Sequence, residues 1–203
     1  MRQKSIVGLW LMAIALVTLT PSAAGATSLL LPPGSIWEYT SVDPTTGGPG
    51  WMTTSGGWQT GLAPFGNDTS PVGNWPGRQT DWAANTHLWV RTTFDASSID
   101  LNSVAWALGV DNGFDLFLNG AHVAGGNAEG YTFQWEYGGA FASGLLNGGT
   151  NYIAVALEDH GGLTAFDMQV TGNAVPEPAS LLLLGSGTLL IARRLRRRPS
   201  QNA

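Results

Sequence analysis

Apolar side chains recur at every second position in the middle of this chain, and no segment of comparable length has the spacing of a helix. In residues 88–95, Leu88, Val90 and Phe94 fall on one face of an extended segment, whereas Arg91 falls on the other. A period of two residues is that of a β-strand with one buried face, so we expect an all-β body. The same pattern predicts five further strands, in residues 104–111, 114–120, 131–137, 152–160 and 164–171.

Short turn sequences rich in asparagine and glycine stand between the predicted strands. Asparagine–glycine pairs accept the positive φ angles that tight hairpins need, and several short strands at this spacing are typical of a β-sandwich or jelly roll. In residues 32–83 glycine, proline, serine and threonine dominate, and there we expect a first strand at residues 36–41 followed by long loops. The turn sequences are Asp111-Asn112-Gly113, Asn119-Gly120, Asn147-Gly148-Gly149 and His160-Gly161-Gly162.

The N-terminus has the three parts of a secretory signal peptide. A positive start with Arg2 and Lys4 is followed by an apolar run in residues 5–19 and then by small residues. Ala24 and Ala26 satisfy the small-residue requirement of signal peptidase, so we expect cleavage after Ala26. The alternative is a retained anchor, but a helix over residues 5–19 would rise only about 22 Å, less than the roughly 30 Å hydrocarbon core of a bilayer.

The C-terminus combines a Pro-Glu-Pro segment, an apolar stretch and a cationic tail. Pro176 and Pro178 hold the chain around Glu177 in an extended conformation. The apolar residues 181–192 predict a short transmembrane helix that snorkelling arginine stems complete. Arginines on one side of a membrane helix place that side in the cytoplasm, so the body lies outside. The tail contains Arg193, Arg194, Arg196, Arg197 and Arg198.

These three parts, in this order and behind a signal peptide, resemble a PEP-CTERM sorting signal over residues 175–203. The resemblance implies a Gram-negative bacterium in which exosortase, a membrane enzyme, recognises Pro176, Glu177 and Pro178. It also implies an inner-membrane-anchored precursor that is then exported to the cell surface or to an exopolysaccharide (biofilm) matrix. An ordinary tail anchor, in which Pro-Glu-Pro is incidental, is the alternative.

A second resemblance concerns the body. The order of strand and turn sequences between Trp82 and Thr171, carried by residues 88–94, 108–120 and 146–155, is similar to that of galactose-binding-like jelly rolls. Modules of this family accompany glycosidases and other carbohydrate enzymes, so the resemblance implies a jelly-roll β-sandwich. Ligand loops vary widely within the family, and no binding residue is carried over from it.

The predicted body carries almost no positive charge. Residues 27–175 contain two arginines, Arg78 and Arg91, no lysine, and 13 of the 14 acidic residues, which gives a formal charge of −11. Such a body repels nucleic acid and anionic lipid, so we exclude DNA- and RNA-binding functions. The chain has no cysteine, which excludes disulfides and thiolate metal sites.

Several tryptophans lie in the glycine- and proline-rich region before residue 83. Their flat faces could stack on sugar rings, and one basic residue beside them could contact an acidic group. The alternative is that these rings are buried against the ends of the sandwich. Trp89, Trp106 and Trp135 lie in predicted strands and are expected in the core or an interface. The candidate ligand-binding residues are Trp51, Trp58, Trp75, Arg78 and Trp82.

Two acidic segments contain residue types that could form a site. Asp111-Asn112-Gly113-Phe114-Asp115 places oxygens around a turn glycine, but the later ligands of an EF-hand are absent, and we favour a hairpin capped by Asp and Asn side chains. Because the body is acidic, structural calcium bound through Asp43, Asp68 or Asp81 stays an open alternative. No particular metal-binding residues are predicted. In Glu158-Asp159-His160, a strand puts Glu158 and His160 on one face and Asp159 on the other.

Catalytic motifs are absent from the predicted body. It has no G-x-S-x-G elbow, no H-E-x-x-H helix and no Walker loop, so no catalytic residue is predicted and we expect a protein that is not an enzyme. Two alternatives remain, a purely structural surface protein and a hydrolase whose pair of carboxylates the sequence does not reveal.

The sequence therefore predicts three segments. Residues 1–26 are a signal peptide, residues 27–174 an extracytoplasmic β-sandwich, and residues 175–203 the sorting segment. The function we expect is that of a noncatalytic module associated with extracellular polysaccharide or matrix. The expected partners are signal peptidase, exosortase and a polysaccharide.

Overall fold

A computed structural model describes residues 25–47, 49–69, 76–127 and 134–175, together with residue 187. Ala26–Val175 form one compact unit; the other unit comprises Met1–Gly25 and Pro176–Ala203. The predicted signal helix lies outside the described residues, as does all of the predicted transmembrane helix except Gly187, which is helical. Within the described ranges, no helix has the length and apolar character needed to cross a bilayer.

Twelve strands and four short 3-10 helices make up the described part of the body. The 3-10 helices are Thr45–Gly47, Pro49–Met52, Leu101–Ser103 and Ser143–Leu145. The strands are β1 (Thr27–Leu31), β2 (Ile36–Thr40), β3 (Gln59–Leu62), β4 (Phe65–Gly66), β5 (Thr80–Asp81), β6 (Leu88–Asp95), β7 (Ala105–Asp111), β8 (Gly113–Leu118), β9 (Ala121–Asn127), β10 (Tyr137–Ala140), β11 (Thr150–Glu158) and β12 (Ala165–Asn173).

The strands form two six-stranded sheets. Sheet A has the order β10-β7-β12-β4-β5, and β1 also pairs with β12. Sheet B has the order β3-β2-β6-β11-β8-β9. All pairs are antiparallel except β4 with β5. The prediction of an all-β sandwich is confirmed, and this body is consistent with a jelly-roll-like fold.

The alternating apolar residues face each other between the sheets. Trp37 of sheet B contacts Phe166 of sheet A edge to face, with ring centroids 5.4 Å apart. The strand predicted at residues 88–95 has those bounds in the structure, and its Leu88, Val90 and Phe94 are buried in the core. Burial of large apolar side chains contributes the most free energy of folding when they are fully removed from water. The shared face between the sheets is therefore the main source of stability.

One predicted turn does not connect neighbouring strands of the same sheet. Asp111-Asn112-Gly113 is not a hairpin, because β7 and β8 lie in different sheets and this segment crosses between them. The Asn112 amide donates to the Glu158 carbonyl at 3.0 Å, and its side-chain oxygen accepts from the His160 amide at 2.7 Å. These bonds hold the crossing segment against β11.

The predicted strand at residues 131–137 is also wrong where the structure describes it. Trp135 lies in a turn with φ of 63° and is only half-buried, and the strand β10 begins at Tyr137. Residues 131–133 lie outside the described residues. In the N-terminal region, β1 precedes the expected first strand, and the expected loops contain β3, β4 and β5.

One carboxylate is buried on the far side of sheet A from the core. Asp167 lies between the core residues Phe166 and Met168, and it is 0% exposed. It accepts hydrogen bonds from the Gly34 amide at 3.3 Å and from the Met168 amide at 2.8 Å. Burial raises the pKa of Asp167 to about 6, although these two amides oppose the shift.

Replacing Asp167 should change how stability depends on pH. Because the folded pKa of about 6 lies above the ordinary 3.8, the folded protein binds more protons between these values, and stability falls as pH rises through this window. Between pH 4 and pH 7, we expect the free energy of unfolding of the wild-type chain to fall by up to about 3 kcal/mol relative to that of Asp167→Asn. Urea unfolding of both proteins across that range measures the difference. A difference that does not change with pH would contradict the assignment.

Candidate functional site

The outer face of sheet B has an unusual central strand. Along β11 the outward positions are Tyr152, Ala154, Ala156 and Glu158. The two alanines leave space over the middle of the sheet, and a large side chain stands at each end. Because side chains on one face of a strand recur every second residue, this spacing divides the outer face into a covered centre and two open ends.

The centre is covered by residues 49–58, which we call the tryptophan flap. Trp51 and Met52 of the flap form a second apolar cluster with Trp89 and Ala154 of sheet B. Trp51 stacks on Trp58 with a centroid separation of 6.1 Å and meets Phe117 edge to face at 6.0 Å. Trp51 is thereby 4% exposed.

Arg91 pins the flap to the sheet. Its guanidinium lies 4.0 Å above the Trp58 ring and donates to the carbonyl oxygens of Thr54 at 2.7 Å and Trp51 at 3.2 Å. It also pairs with the Glu38 carboxylate at 2.7 Å. One side chain thus satisfies two loop carbonyls, a carboxylate and an aromatic face, which makes the flap part of the fold.

The four predicted ligand-binding residues that the structure describes do not form one site. Trp51 lies in the flap at 4% exposure and Trp82 in the main core at 2% exposure, so for both the structure agrees with the alternative that these rings are buried. Both are buried because the sandwich needs large apolar side chains at these positions. Trp58 is half-buried beneath Arg91, and Arg78 pairs with Asp81. Trp75 lies outside the described residues.

Instead, Tyr152 presents the exposed aromatic ring of this face. It is 49% exposed, and two cavities of about 310 and 320 Å³ adjoin it. Both cavities are also lined by Met52 and Thr53 of the flap. The first extends to Glu38 and Thr93, and the second to Asn119, Gly120 and Asn147. We call Tyr152 and these two cavities the tyrosine groove.

A buried asparagine fixes the second half of the groove. Asn151, at 0% exposure, accepts from the Asn119 side chain at 2.9 Å and the Asn147 amide at 2.8 Å, and donates to the carbonyls of Asn147 and Gly149. The Tyr152 amide donates to the Asn119 side-chain oxygen at 2.8 Å. The groove is therefore built on fixed backbone. This lowers the entropic cost of ordering the site when a ligand binds.

Tyr152 was not among the candidate residues predicted from the sequence. The signal was available, because Ile153 faces inward in the predicted strand and its neighbour must face outward. Tyrosine at an outward position beside two outward alanines marks an aromatic ring that its own strand leaves uncovered. The flap that forms the second wall, however, could not be placed from spacing alone.

At the other end of β11 lies a cavity of about 510 Å³, which we call the acidic cleft. Asp115 and Glu158 line it together with His87. His122 Nε2 lies 3.0 Å from an Asp115 oxygen, and the Asn127 side chain donates to Glu158 at 2.9 Å. The cleft therefore holds two carboxylates and a histidine beside polar partners.

Glycines make room for these carboxylates. A Cβ at Gly113 would lie 2.5 Å from a Glu158 oxygen, and a Cβ at Gly125 would lie 2.7 Å from an Asp115 oxygen. His160 lies beyond the end of β11, with its Nε2 atom 3.9 Å from a Glu158 carboxylate oxygen, and Asp159 is buried. Two carboxylates at one cleft can accept hydrogen bonds from ligand hydroxyl groups, and they are the residue types used in glycoside hydrolysis.

The described residues contain no group of three His, Asp or Glu side chains that could hold a metal ion. Asp111 is buried, whereas Asp115 faces the acidic cleft. The Thr45 hydroxyl and amide both donate to Asp43 and lower the pKa of its carboxyl group. Asp81 is paired with Arg78. Asp43 therefore serves a local turn, and Asp81 a local ion pair.

Most of the predicted processing residues lie outside the described residues. These are Ala24, Pro176, Glu177 and Pro178, and the arginines at 193, 194 and 196–198. Ala26 is described and directly precedes β1, and its carbonyl accepts from the Ala174 amide at 3.0 Å. The predicted signal cleavage position thus borders the first strand of the sandwich.

The body is a two-sheet β-sandwich, and the segment that follows it matches a known sorting signal. Residues 174–198 match the PEP-CTERM protein-sorting motif. The expected resemblance is confirmed by this match, which begins two residues before Pro176. The motif indicates a secreted protein that exosortase processes. No curated protein matched the sequence of this chain.

Solved structures similar to the body include β-glucuronidases. One from an uncultured Clostridium species has 10% sequence identity and a TM-score of 0.48, over 76% of this chain and 30% of that one. Ruminococcus gnavus β-glucuronidase without ligand has 13% identity and a TM-score of 0.48 over the same shares. The chain thus spans about 30% of the length of these enzymes. A likeness at this level carries no argument about activity.

Truncating Trp51 and Tyr152 should separate the flap from the groove. We expect Trp51→Ala to destabilise the body, residues 27–175, by about 3 kcal/mol, because it removes a buried ring from a packed cluster. Tyr152→Ala should cost less than about 1 kcal/mol, because half of its ring already faces solvent. Urea unfolding followed by far-UV circular dichroism measures both changes. Equal losses of stability would contradict the described burial of Trp51.

Proposed function

We propose that this protein is an exported, exosortase-processed surface or matrix protein whose noncatalytic sandwich binds a neutral polysaccharide in the tyrosine groove. The observation that carries the binding proposal is the half-exposed Tyr152 ring, which lies between two cavities on a strand paired on both sides. An aromatic face of this kind stacks on the apolar face of a sugar ring. Side chains at both ends of the groove can exchange hydrogen bonds with sugar hydroxyl groups.

The charge of the body favours a neutral sugar over an acidic one. Between residues 27 and 175 its formal charge is −11, and its only arginines are Arg78 and Arg91. Each of them already pairs with a carboxylate, Asp81 and Glu38 respectively. An acidic glycan would therefore approach against a negative field without a free guanidinium to meet its carboxylates. We expect modest affinity for one site and retention through many copies on a surface.

Removing the Tyr152 ring should abolish most of the binding. We expect Tyr152→Ala to weaken the affinity for a neutral oligosaccharide about ten-fold, whereas Tyr152→Phe keeps the stacking face and most of the affinity. Calorimetric titration of residues 27–175 with gluco-, galacto- and manno-oligosaccharides, beside an oligouronate, measures both the affinity and the preference for neutral sugars.

Leu29→Ala is the matched control for this experiment, because Leu29 is also half-exposed but lies on β1 of sheet A. It should leave the affinity unchanged. Wild-type binding that survives in Tyr152→Ala would place the ligand elsewhere. Absence of binding to every sugar would favour the alternative of a purely structural surface protein.

The acidic cleft supports a second candidate function, because Asp115 and Glu158 line one cavity. In register, Asp115 lies opposite Ala156, two residues from Glu158, so the two carboxylates are diagonal neighbours on adjacent strands. A hydrolase could use such a pair as acid and base or nucleophile. Release of reducing ends during the titration, lost in Glu158→Gln, would favour this reading over a noncatalytic module.

Processing should depend on the Pro-Glu-Pro segment. Before processing, we propose that the precursor is held in the inner membrane by the apolar segment and the arginine tail. Glu177→Ala should leave this precursor uncut without unfolding the body, since residue 177 lies outside the compact unit Ala26–Val175. Intact-mass analysis of released protein should give a wild-type chain that begins near Thr27 and ends near residues 176–178. Normal release of the variant would instead indicate nonspecific proteolysis of a plain anchor.

A further inference from the structure

The two ends of the body are paired with each other. Strand β1 runs antiparallel to the end of β12, with Thr27 opposite Asn173. The Thr27 hydroxyl donates to the Asn173 side-chain oxygen at 3.0 Å. One residue further out, the Ala174 amide donates to the Ala26 carbonyl at 3.0 Å. The first and last strands therefore begin and end at the same place.

A second segment holds the same end of β12. Ala174 also forms an isolated β-bridge with Ile99, and the Val175 amide donates to the Ser98 carbonyl at 2.8 Å. Val175 directly precedes Pro176. Since the sorting motif covers residues 174–198, its first two residues are part of the folded sandwich.

This arrangement restricts access to the sorting motif. An enzyme that cuts a chain takes it in an extended form and pairs with its backbone on both sides of the cut. The amides of Ala174 and Val175 are engaged by Ala26 and Ser98, and no spacer separates them from Pro176. This end of β12 must detach before an enzyme can hold the residues that precede the Pro-Glu-Pro segment.

We propose that the two processing cuts are ordered, and that removal of the signal peptide comes first because it loosens the start of the sorting motif. This order rests on the exosortase processing proposed above. A cut after Ala26 takes away the carbonyl that accepts from Ala174, and Ile99 and Ser98 then hold residues 174 and 175 alone. In this cut, water adds across the Ala26–Thr27 peptide bond, leaving a carboxylate on Ala26 and an ammonium group on Thr27.

Blocking the first cut tests the order. In the full-length chain, leucine at both small positions (Ala24→Leu with Ala26→Leu) blocks signal peptidase while the residue 26 carbonyl stays in place. In cells that contain exosortase, pulse-chase labelling and intact mass follow the loss of residues 193–198. We expect the blocked precursor to lose this tail about five-fold more slowly than wild type, the effect of one added backbone hydrogen bond.

A spacer separates this cause from a general defect of export. Six Gly-Ser residues inserted between Val175 and Pro176 move the motif away from the paired strands, so they should restore the wild-type rate in the blocked precursor. The same spacer in the cleavable precursor is the control and should change the rate less than two-fold. Tail loss at the wild-type rate in the blocked precursor, or failure of the spacer to restore it, would overturn the order. If released wild-type protein keeps residues 193–198, the proposal of exosortase processing is wrong, and the proposed order is wrong with it.

Discussion

Strand β11 is the element on which the rest of the structure depends. It pairs with β6 from Thr150 to Leu157 and with β8 from Ile153 to Glu158, so its backbone is bonded on both sides. Its inward side chains, Ile153 and Val155 among them, complete the core between the sheets. Its outward side chains decide where the flap lies and where the two open ends remain. One strand therefore sets both the stability of the sandwich and the shape of its exposed face.

Buried carboxylates join the segments that strands alone do not connect. Asp167 accepts from the Gly34 amide and so holds the turn between β1 and β2 against sheet A. Asp159 accepts from the amides of Asn85 at 2.5 Å and Gly161 at 3.0 Å, which ties the turn before β6 to the turn after β11. A carboxylate can accept several backbone amides at once, so it organises irregular segments that have no ladder of their own.

Strands β6, β7, β8, β11 and β12 could be predicted from the sequence, because alternation is a local property. Residues 88–95 gave the bounds of β6, and the Asn119-Gly120 pair joins β8 and β9 as the hairpin expected of it, with positive φ at both residues. Alternation does not tell which sheet a strand joins. For this reason Asp111-Asn112-Gly113 looked like a hairpin, although its two strands belong to different sheets.

The candidate site was less predictable, because burial of a tryptophan depends on distant residues. Trp51 is buried by Trp89 and Ala154, which lie about 40 and 100 positions further along the chain. Nothing near residue 51 shows that two outward alanines leave space for its ring. For Tyr152 the local pattern was sufficient, because alternation along the strand predicts an outward side chain and the structure leaves it exposed. Composition made the loop tryptophans the candidates for stacking, whereas packing buries Trp51 and leaves the Tyr152 ring exposed.

The pairing of both arginines with carboxylates has a consequence for survival outside the cell. Proteases of the trypsin type cut after lysine or arginine, and residues 27–175 contain no lysine. The Arg91 side chain packs against the flap and is only 11% exposed, and the Arg78 side chain, paired with Asp81, is 27% exposed. A folded body of this kind offers such enzymes almost nothing to bind. Its scarcity of cations thus leaves trypsin-type proteases few sites in the body, a protection separate from that given by the folded core.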